Sequence, residues 1–290
     1  MKRAFRSIRF RPTTLATVER VQAVLAEYDD QRLTARQVYY QFVARGWLAN
    51  TERSYKTMTS LLVDARYAGI VDWDAIEDRG REPDVPNEWS SISSLVESAL
   101  RSYRLPRWEQ QDCYAELWVE KQALAGMLSP IAHAFHVPLM VNKGYSSASA
   151  MKAAADRMIA ACRPTKLLYL GDHDPSGEDM VRDIRDRLAE FKVYELDVVK
   201  VGLTIEQVRQ YKLPPNPAKV TDSRAAKYIE KYGAESWELD ALPPRVLNDL
   251  ARAALAGIVD PDAMNEVIEQ EDRDKERLRQ AVSAIVEAAP

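Results

Sequence analysis

Glu120 directly follows the apolar run Ala115-Glu-Leu-Trp-Val119, and Asp172 and Asp174 follow Lys166-Leu-Leu-Tyr-Leu-Gly171. Both runs read as buried strands. In an open α/β sheet, side chains at the carboxyl ends of neighbouring parallel strands converge on one crevice. Three carboxylates there would offer the hard oxygen ligands that Mg²⁺ prefers, leaving its other positions to water and phosphate oxygens. Asp172 and Asp174 are two residues apart, so an extended backbone projects them to the same side. The next residues, Pro175-Ser-Gly177, form a turn into a helix, and Asp174 or Ser176 could equally serve as its cap.

Other titratable groups have simpler readings. His133 and His136 lie three apart with no third ligand nearby, which suits packing or surface positions. His173, between the two aspartates, would touch phosphate or hydrogen-bond an aspartate. Glu178 and Asp179 open the following helix, where carboxylates favour the positive dipole end, and Glu178 is also a candidate auxiliary metal ligand. Glu238 and Asp240 alternate about Leu239, which suits a strand edge or a second acidic cluster. Cys113 and Cys162 are far apart and lack a CxxC partner, which excludes a thiolate zinc site and disfavours a disulfide framework.

The elements that must position these residues follow from periodicity. Helices are expected over 13–28, 34–45 and 52–68, the last ending at Gly69, with a short strand at Ile70-Val-Asp-Trp73. Three helices and a strand are the plan of a helix-turn-helix or winged-helix module over residues 1–86, a plan that small helical bundles share, closed by the proline-bearing polar connector 77–86. A linker helix falls in 87–110. Residues 111–203 then alternate strands (114–119, 137–141, 166–170, 193–201) with helices (122–135, 147–161, 176–191), which predicts a parallel sheet of about four strands with helices on its faces. Residues 204–290 read as a mainly helical extension, ending in a charge-laced helix over 260–286. The fold class is therefore α/β, preceded by a helical domain.

Composition sets the outer limits. Forty basic residues against 44 acidic ones show no overall electrostatic bias. The first 66 residues differ, with twelve Lys/Arg against six Asp/Glu, a basic end that suits phosphate contacts. The opening Met-Lys-Arg-Ala-Phe-Arg has no apolar stretch of a signal peptide, and no apolar run reaches the ~18 residues of a membrane span, so a cytoplasmic protein is expected.

Trp118-Val-Glu-Lys121, Lys143-Gly-Tyr-Ser-Ser147 and Gly171-Asp-His-Asp-Pro-Ser-Gly177 together resemble the Toprim domain of topoisomerases, primases and related nucleases. The resemblance implies a Toprim-type parallel sheet in which Glu120, Asp172 and Asp174 bind Mg²⁺ and Glu120 also acts as acid or base. Gly144 corresponds to the loop after the second strand, where backbone approaches the site. Upstream, Leu33-Thr-Ala-Arg-Gln-Val-Tyr-Tyr-Gln-Phe42 is similar to the catalytic segment of the topoisomerase VI A subunit and its meiotic double-strand-break relatives. In that family the second tyrosine of the pair attacks DNA, which maps onto Tyr40, and the winged helix precedes the Toprim domain, as here. The two resemblances span roughly residues 30 to 200. Asp222-Ser-Arg224 and Trp237-Glu-Leu-Asp-Ala-Leu-Pro-Pro244 resemble segments of short phage and bacterial relatives, without an assigned role.

Helical geometry independently separates the two tyrosines. At 100° per residue the apolar stripe runs through Val38, Tyr39, Phe42 and Gly46, and Tyr40 lies about 140° away. This predicts Tyr39 in the core and Tyr40 exposed, with Arg36 one turn earlier, able to grip the scissile phosphate or favour phenolate. A phenol of pKa about 10 is a poor nucleophile without such help. The resemblance further implies a homodimer on double-stranded DNA, each tyrosine meeting the partner's metal, and a separate ATPase subunit for strand passage, since the chain has no GxxxxGK[ST] loop. The expected activity is Mg²⁺-dependent DNA cleavage and rejoining by tyrosine transesterification, of the type IIB topoisomerase kind. The alternatives are a Toprim metal-dependent nuclease that uses water, and a non-catalytic DNA-binding protein.

Overall fold

The computed structural model describes residues 2–29, 31–77, 86–142, 144–217 and 224–287. The connector 78–85, Lys143 and the pair Asp222-Ser223 lie outside the described residues.

The N-terminal part holds α1 (Pro12–Glu27), β1 (Leu33–Thr34), α2 (Ala35–Ala44), α3 (Glu52–Tyr67) and β2 (Ile76–Glu77). Thr34 caps α2 in a reciprocal box with Gln37, and Thr51 caps α3 through Ser54 N–H. The strand expected at 70–73 is instead a turn leading into a 3₁₀ turn, Trp73–Ala75, capped by Asp72. Gly69, at φ +72°, reverses the chain there, and Trp73 packs edge-on against Phe5 and Tyr67 rather than entering a ladder. Pairing comes three residues later, where Ile76 and Glu77 run parallel to Leu33 and Thr34.

The linker helix α4 (Ile92–Ser102) leads into the α/β unit: β3 (Tyr114–Val119), α5 (Ala125–Ala134), β4 (Leu139–Val141), α6 (Ala148–Ala160), β5 (Thr165–Leu170), α7 (Pro175–Glu190) and β6 (Leu196–Gly202). The sheet order is β4-β3-β5-β6 and every pairing is parallel. The register sets Trp118 beside Tyr169 and Val119 beside both Leu170 and Val141. This is the expected α/β architecture with helices on both faces.

Alternation along the strands sorts the core into two clusters. Trp118, Leu167, Tyr169 and Val198 pack against Met151, Ala155 and Met158 of α6 and Met180, Ile184 and Leu188 of α7. Leu117, Val119, Leu168 and Leu170 face the other way, into a cluster with Leu128 and Ile131 of α5 that continues to Val38 and Phe42 of α2.

The C-terminal extension comprises α8 (Ile205–Tyr211), β7 (Asn216–Pro217), α9 (Ala225–Tyr232), β8 (Glu235–Ser236), α10 (Pro244–Ala256) and α11 (Pro261–Glu287). Leu247, Ala251 and Leu255 of α10 join the second cluster. The short antiparallel pair β7–β8 is prolonged by a bridge between Trp237 and His173, with N–H···O bonds of 2.9 Å in both directions. This bridge delivers the residues after Trp237 to the loop that carries both aspartates. Among the described residues no helix is long and apolar enough to cross a membrane.

Candidate active site

The carboxyl ends of β3 and β5 bring the three predicted acids together. The Glu120 N–H extends the ladder to the Leu170 carbonyl at 2.9 Å, and its Oε2 accepts from Asp172 N–H at 2.9 Å and the Tyr169 hydroxyl at 3.3 Å. Gly171 permits this: a Cβ there would stand 2.4 Å from the Tyr169 hydroxyl. Asp174 caps α7, its Oδ1 accepting from Gly177 N–H at 2.6 Å and Ser176 Oγ at 2.8 Å. Gly177 lies so close that a Cβ would meet the Asp172 carbonyl oxygen at 2.2 Å. Asp172 Oδ1 accepts from Leu239 N–H at 2.8 Å and pairs with Lys121 Nζ at 2.9 Å.

Each acid thus spends one oxygen on the protein. Among the described residues Glu120 Oε1, Asp172 Oδ2 and Asp174 Oδ2 accept no hydrogen bond. As the side chains stand, no three His, Cys, Asp or Glu groups among the described residues form a ready-made metal cage. The donor set nevertheless fits a hard divalent ion. Burial, and then the charges of Asp172 and Asp174, push the Glu120 carboxyl up, and burial raises Asp172 against the pull of Lys121. Burial and the same acids also raise the Tyr169 phenol, so it remains a donor to Glu120. A cation at this point would relieve the mutual repulsion.

Sequence reasoning gave Lys121 no role, yet it stands at the middle of the site. Its ammonium lies 2.9 Å from Asp172, 3.0 Å from Glu238 and 3.7 Å from Asp240. Burial opposes its charge, but Asp240, Asp172 and Glu238 more than offset that and hold its pKa above the ordinary lysine value. The signal for it was its place directly after Glu120, where the chain turns inward. Of the two readings of Glu238 and Asp240, the acidic cluster is the one the fold realises: Glu238 is the last extended residue before the 3₁₀ turn Leu239–Ala241 that carries Asp240.

Arg36 is also tied to this cluster, through its Nη2 to Glu238 and its Nε 3.5 Å from Asp240 Oδ2. Its guanidinium lies 5.4 Å from the Tyr55 ring centroid and 5.9 Å from that of Tyr40. Tyr40 departs from the wheel expectation. It is 2% exposed, no more than Tyr39 at 3%, and its hydroxyl accepts from Asn216 Nδ2 at 3.4 Å. The covering groups come from the C-terminal extension, which seals the face of α2 that a two-sided wheel assigns to solvent. Burial and the neighbouring Glu238 raise the Tyr40 phenol, opposing phenolate. Tyr39 points away, its hydroxyl bonded to Asn50 Oδ1 at 3.0 Å.

A cleft of about 700 Å³ runs between the N-terminal helices and the strand ends, lined by Arg36, Tyr55, Arg66, Glu120, Lys121 and Asp240, with Gly144 at its margin. Gly144 has φ +80°, a conformation that favours glycine, but the close approach expected there is not seen: among the described residues a Cβ would meet nothing within 4 Å. His173 is not free to reach a phosphate: it is 1% exposed, and Nδ1 sits 2.8 Å from Glu178 Oε1. Glu178 is further engaged by Lys200 and by the Tyr232 hydroxyl at 3.1 Å. Against the cost of burial, His173 and Lys200 draw its carboxyl down to about 2. Its role is therefore structural rather than that of an auxiliary ligand. His133 and His136 line a separate cavity at the amino-terminal end of the strands. In comparisons with known proteins the chain matches no family model and no curated protein sequence.

Proposed function

We propose that this protein cleaves the phosphodiester backbone of double-stranded DNA with Mg²⁺ held by Glu120, Asp172 and Asp174, after the manner of a topoisomerase VI A subunit. The reading rests on one observation: the 2.9 Å hydrogen bond from Asp172 N–H to Glu120 Oε2, which unites acids from two strand ends, with Glu120 lining a cleft together with Arg36, Arg66 and Lys121. When bound, the ion would offset charge on the phosphate oxygens. Glu120 is suited to move a proton, because burial and its acidic neighbours raise its carboxyl above the ordinary glutamate value. Arg36 and Lys121 would steady the phosphate. A homodimer, with Tyr40 serving the partner's metal and a separate ATPase subunit, belongs to the same reading.

The nucleophile divides two versions of this function. In the transesterase, Tyr40 gives up its phenolic proton and attacks phosphorus, the P–O3′ bond breaks to leave a 3′ hydroxyl, and the tyrosine remains linked to the 5′ phosphate, which requires Asn216 and the 3₁₀ turn to move off its face of α2. In the nuclease, water attacks and Tyr40 stays in the core; its 2% exposure favours this second version. Supercoiled DNA incubated with Mg²⁺ and the full chain, then denatured, separates them. Transesterification yields protein covalently bound to 5′ ends and is abolished by Tyr40→Phe. Hydrolysis yields free ends and survives that change. Absence of any nicking, with Mg²⁺ or Mn²⁺ and with an ATPase partner supplied, would defeat both and leave a DNA-binding protein.

A further inference from the structure

The segment Trp237-Glu-Leu-Asp240 reaches the site from a part of the chain that the motif resemblance leaves without a role, and its chemistry is unfinished. The Asp240 side chain is 1% exposed, and neither of its oxygens accepts a hydrogen bond among the described residues. Its cationic neighbours stand back, Arg36 Nε at 3.5 Å and Lys121 Nζ at 3.7 Å, and that Arg36 Nε is itself buried without a hydrogen-bond acceptor. A buried carboxylate with all its acceptor positions unspent is costly unless a proton or a cation completes it. Three carboxylates from two segments, Asp172 on one and Glu238 and Asp240 on the other, already surround one monovalent cation, the Lys121 ammonium.

Charge accounting points the same way. The connected network holds five carboxylates, Glu120, Asp172, Asp174, Glu238 and Asp240, against two cations, Arg36 and Lys121, a formal charge of −3. One divalent ion leaves −1, which repels a phosphodiester, and two leave +1, which attracts it.

We propose that a second divalent cation binds between Asp172, Glu238 and Asp240 in the place now taken by the Lys121 ammonium. The proposal rests on the reading of Glu120, Asp172 and Asp174 as the first metal site. The lysine stem is flexible and its side chain is 22% exposed on the cleft wall. On displacement the ammonium swings into the cleft, where it becomes a ligand for the incoming phosphate. Metal entry and phosphate capture are thereby linked, and the C-terminal extension becomes part of the site.

Titration of the full chain with Mn²⁺ alone, followed by electron paramagnetic resonance of the free ion, tests this without any cleavage assay. The parent chain should bind two ions. Asp240→Asn should remove the weaker one, and Lys121→Gln, which takes away the competing ammonium, should tighten that ion by about tenfold or more. A gain of affinity cannot come from a misfolded variant, so Lys121→Gln keeps the test decisive if Asp240→Asn fails to fold. A single bound ion, lost in Glu120→Gln but unchanged in both Asp240→Asn and Lys121→Gln, would overturn the second site and leave the first standing. No bound Mn²⁺ in the parent chain would overturn both.

Discussion

Asp174 has two duties, one seen and one proposed, that ordinary alanine scanning would confuse: its Oδ1 caps α7, while its Oδ2 accepts no hydrogen bond among the described residues and is left for the proposed metal. Asparagine is as good an N-cap as aspartate but a much poorer ligand for a hard cation. Asp174→Asn should therefore keep its melting temperature and lose Mg²⁺-dependent cleavage, whereas Asp174→Ala should lose cleavage together with about 1 kcal/mol of stability. Thermal unfolding beside the nicking assay reads both quantities, and a stable, active Asp174→Asn would remove this residue from the proposed metal site. Gly177 gives a steric counterpart. Its missing Cβ makes room for the Asp172 carbonyl, so Gly177→Ala should cost about 1–3 kcal/mol and disturb the aspartate loop even though alanine favours helix. A neutral or stabilising result would show that this loop yields more easily than its packing implies.

At the level of elements, α11 is anchored through an ion pair whose pH dependence can be stated. Glu271, with no exposed side-chain surface, takes both prongs of Arg107 at 2.8 Å and the Leu105 N–H at 3.1 Å. Burial alone would raise its carboxyl, but Arg107, Leu105 and Lys275 bring it down to about 2. Its folded pKa lies below the unfolded value, so its contribution to stability is complete above about pH 4.5 and disappears as pH falls toward 2. The size is about 3 kcal/mol at most. Urea unfolding between pH 6 and 2.5 should show stability falling with this window in the parent chain, and Glu271→Gln should flatten that part of the curve. Equal slopes would mean that α11 is held by its apolar contacts instead.

The same scale explains what was legible beforehand. β3 was readable to the residue, 114–119, because an apolar run interrupted only by Glu116 and bounded by polar residues admits little else. The start of α7 was readable because Asp-Pro-Ser-Gly fixes both cap and first turn. Glu120, Asp172 and Asp174 could be placed together because parallel strands share a carboxyl edge. The stretch 70–73 was misread since Trp73 is equally at home in a strand and in an aromatic cluster. Tyr40 was misjudged for a different reason: the wheel assumes that one side of α2 meets water, but the group on its hydroxyl, Asn216, lies 176 residues away. No local pattern reports a lid delivered from so far along the chain.

For the molecule as a whole, the expected division into an N-terminal helical unit, an α/β unit and an extension has to be set against one continuous apolar cluster. That cluster runs from Val18 and Phe42 through Leu117 and Leu170 to Leu247 and Met264. Ion pairs reinforce it, since Arg36 of α2 and Lys121 after β3 are both bound to Glu238 of the extension. Parts that share a core and a buried charge network unfold together, because exposing one leaves the other with uncompensated apolar and charged surface. Phe42→Ala, in the N-terminal helices, should cost about 3–5 kcal/mol. The loss should appear as one lowered midpoint in far-ultraviolet circular dichroism and in amide exchange of β5, a central strand of the sheet. If β5 protection were unchanged while the N-terminal helices melted early, the helical unit would be a separately folding module. That result would also supply the motion the transesterase requires, because a helical unit that opens on its own would carry α2 away from Asn216 and expose Tyr40. Single-midpoint unfolding would instead keep Tyr40 in the core of the isolated chain, leaving water as the nucleophile until DNA or a partner subunit separates α2 from the extension.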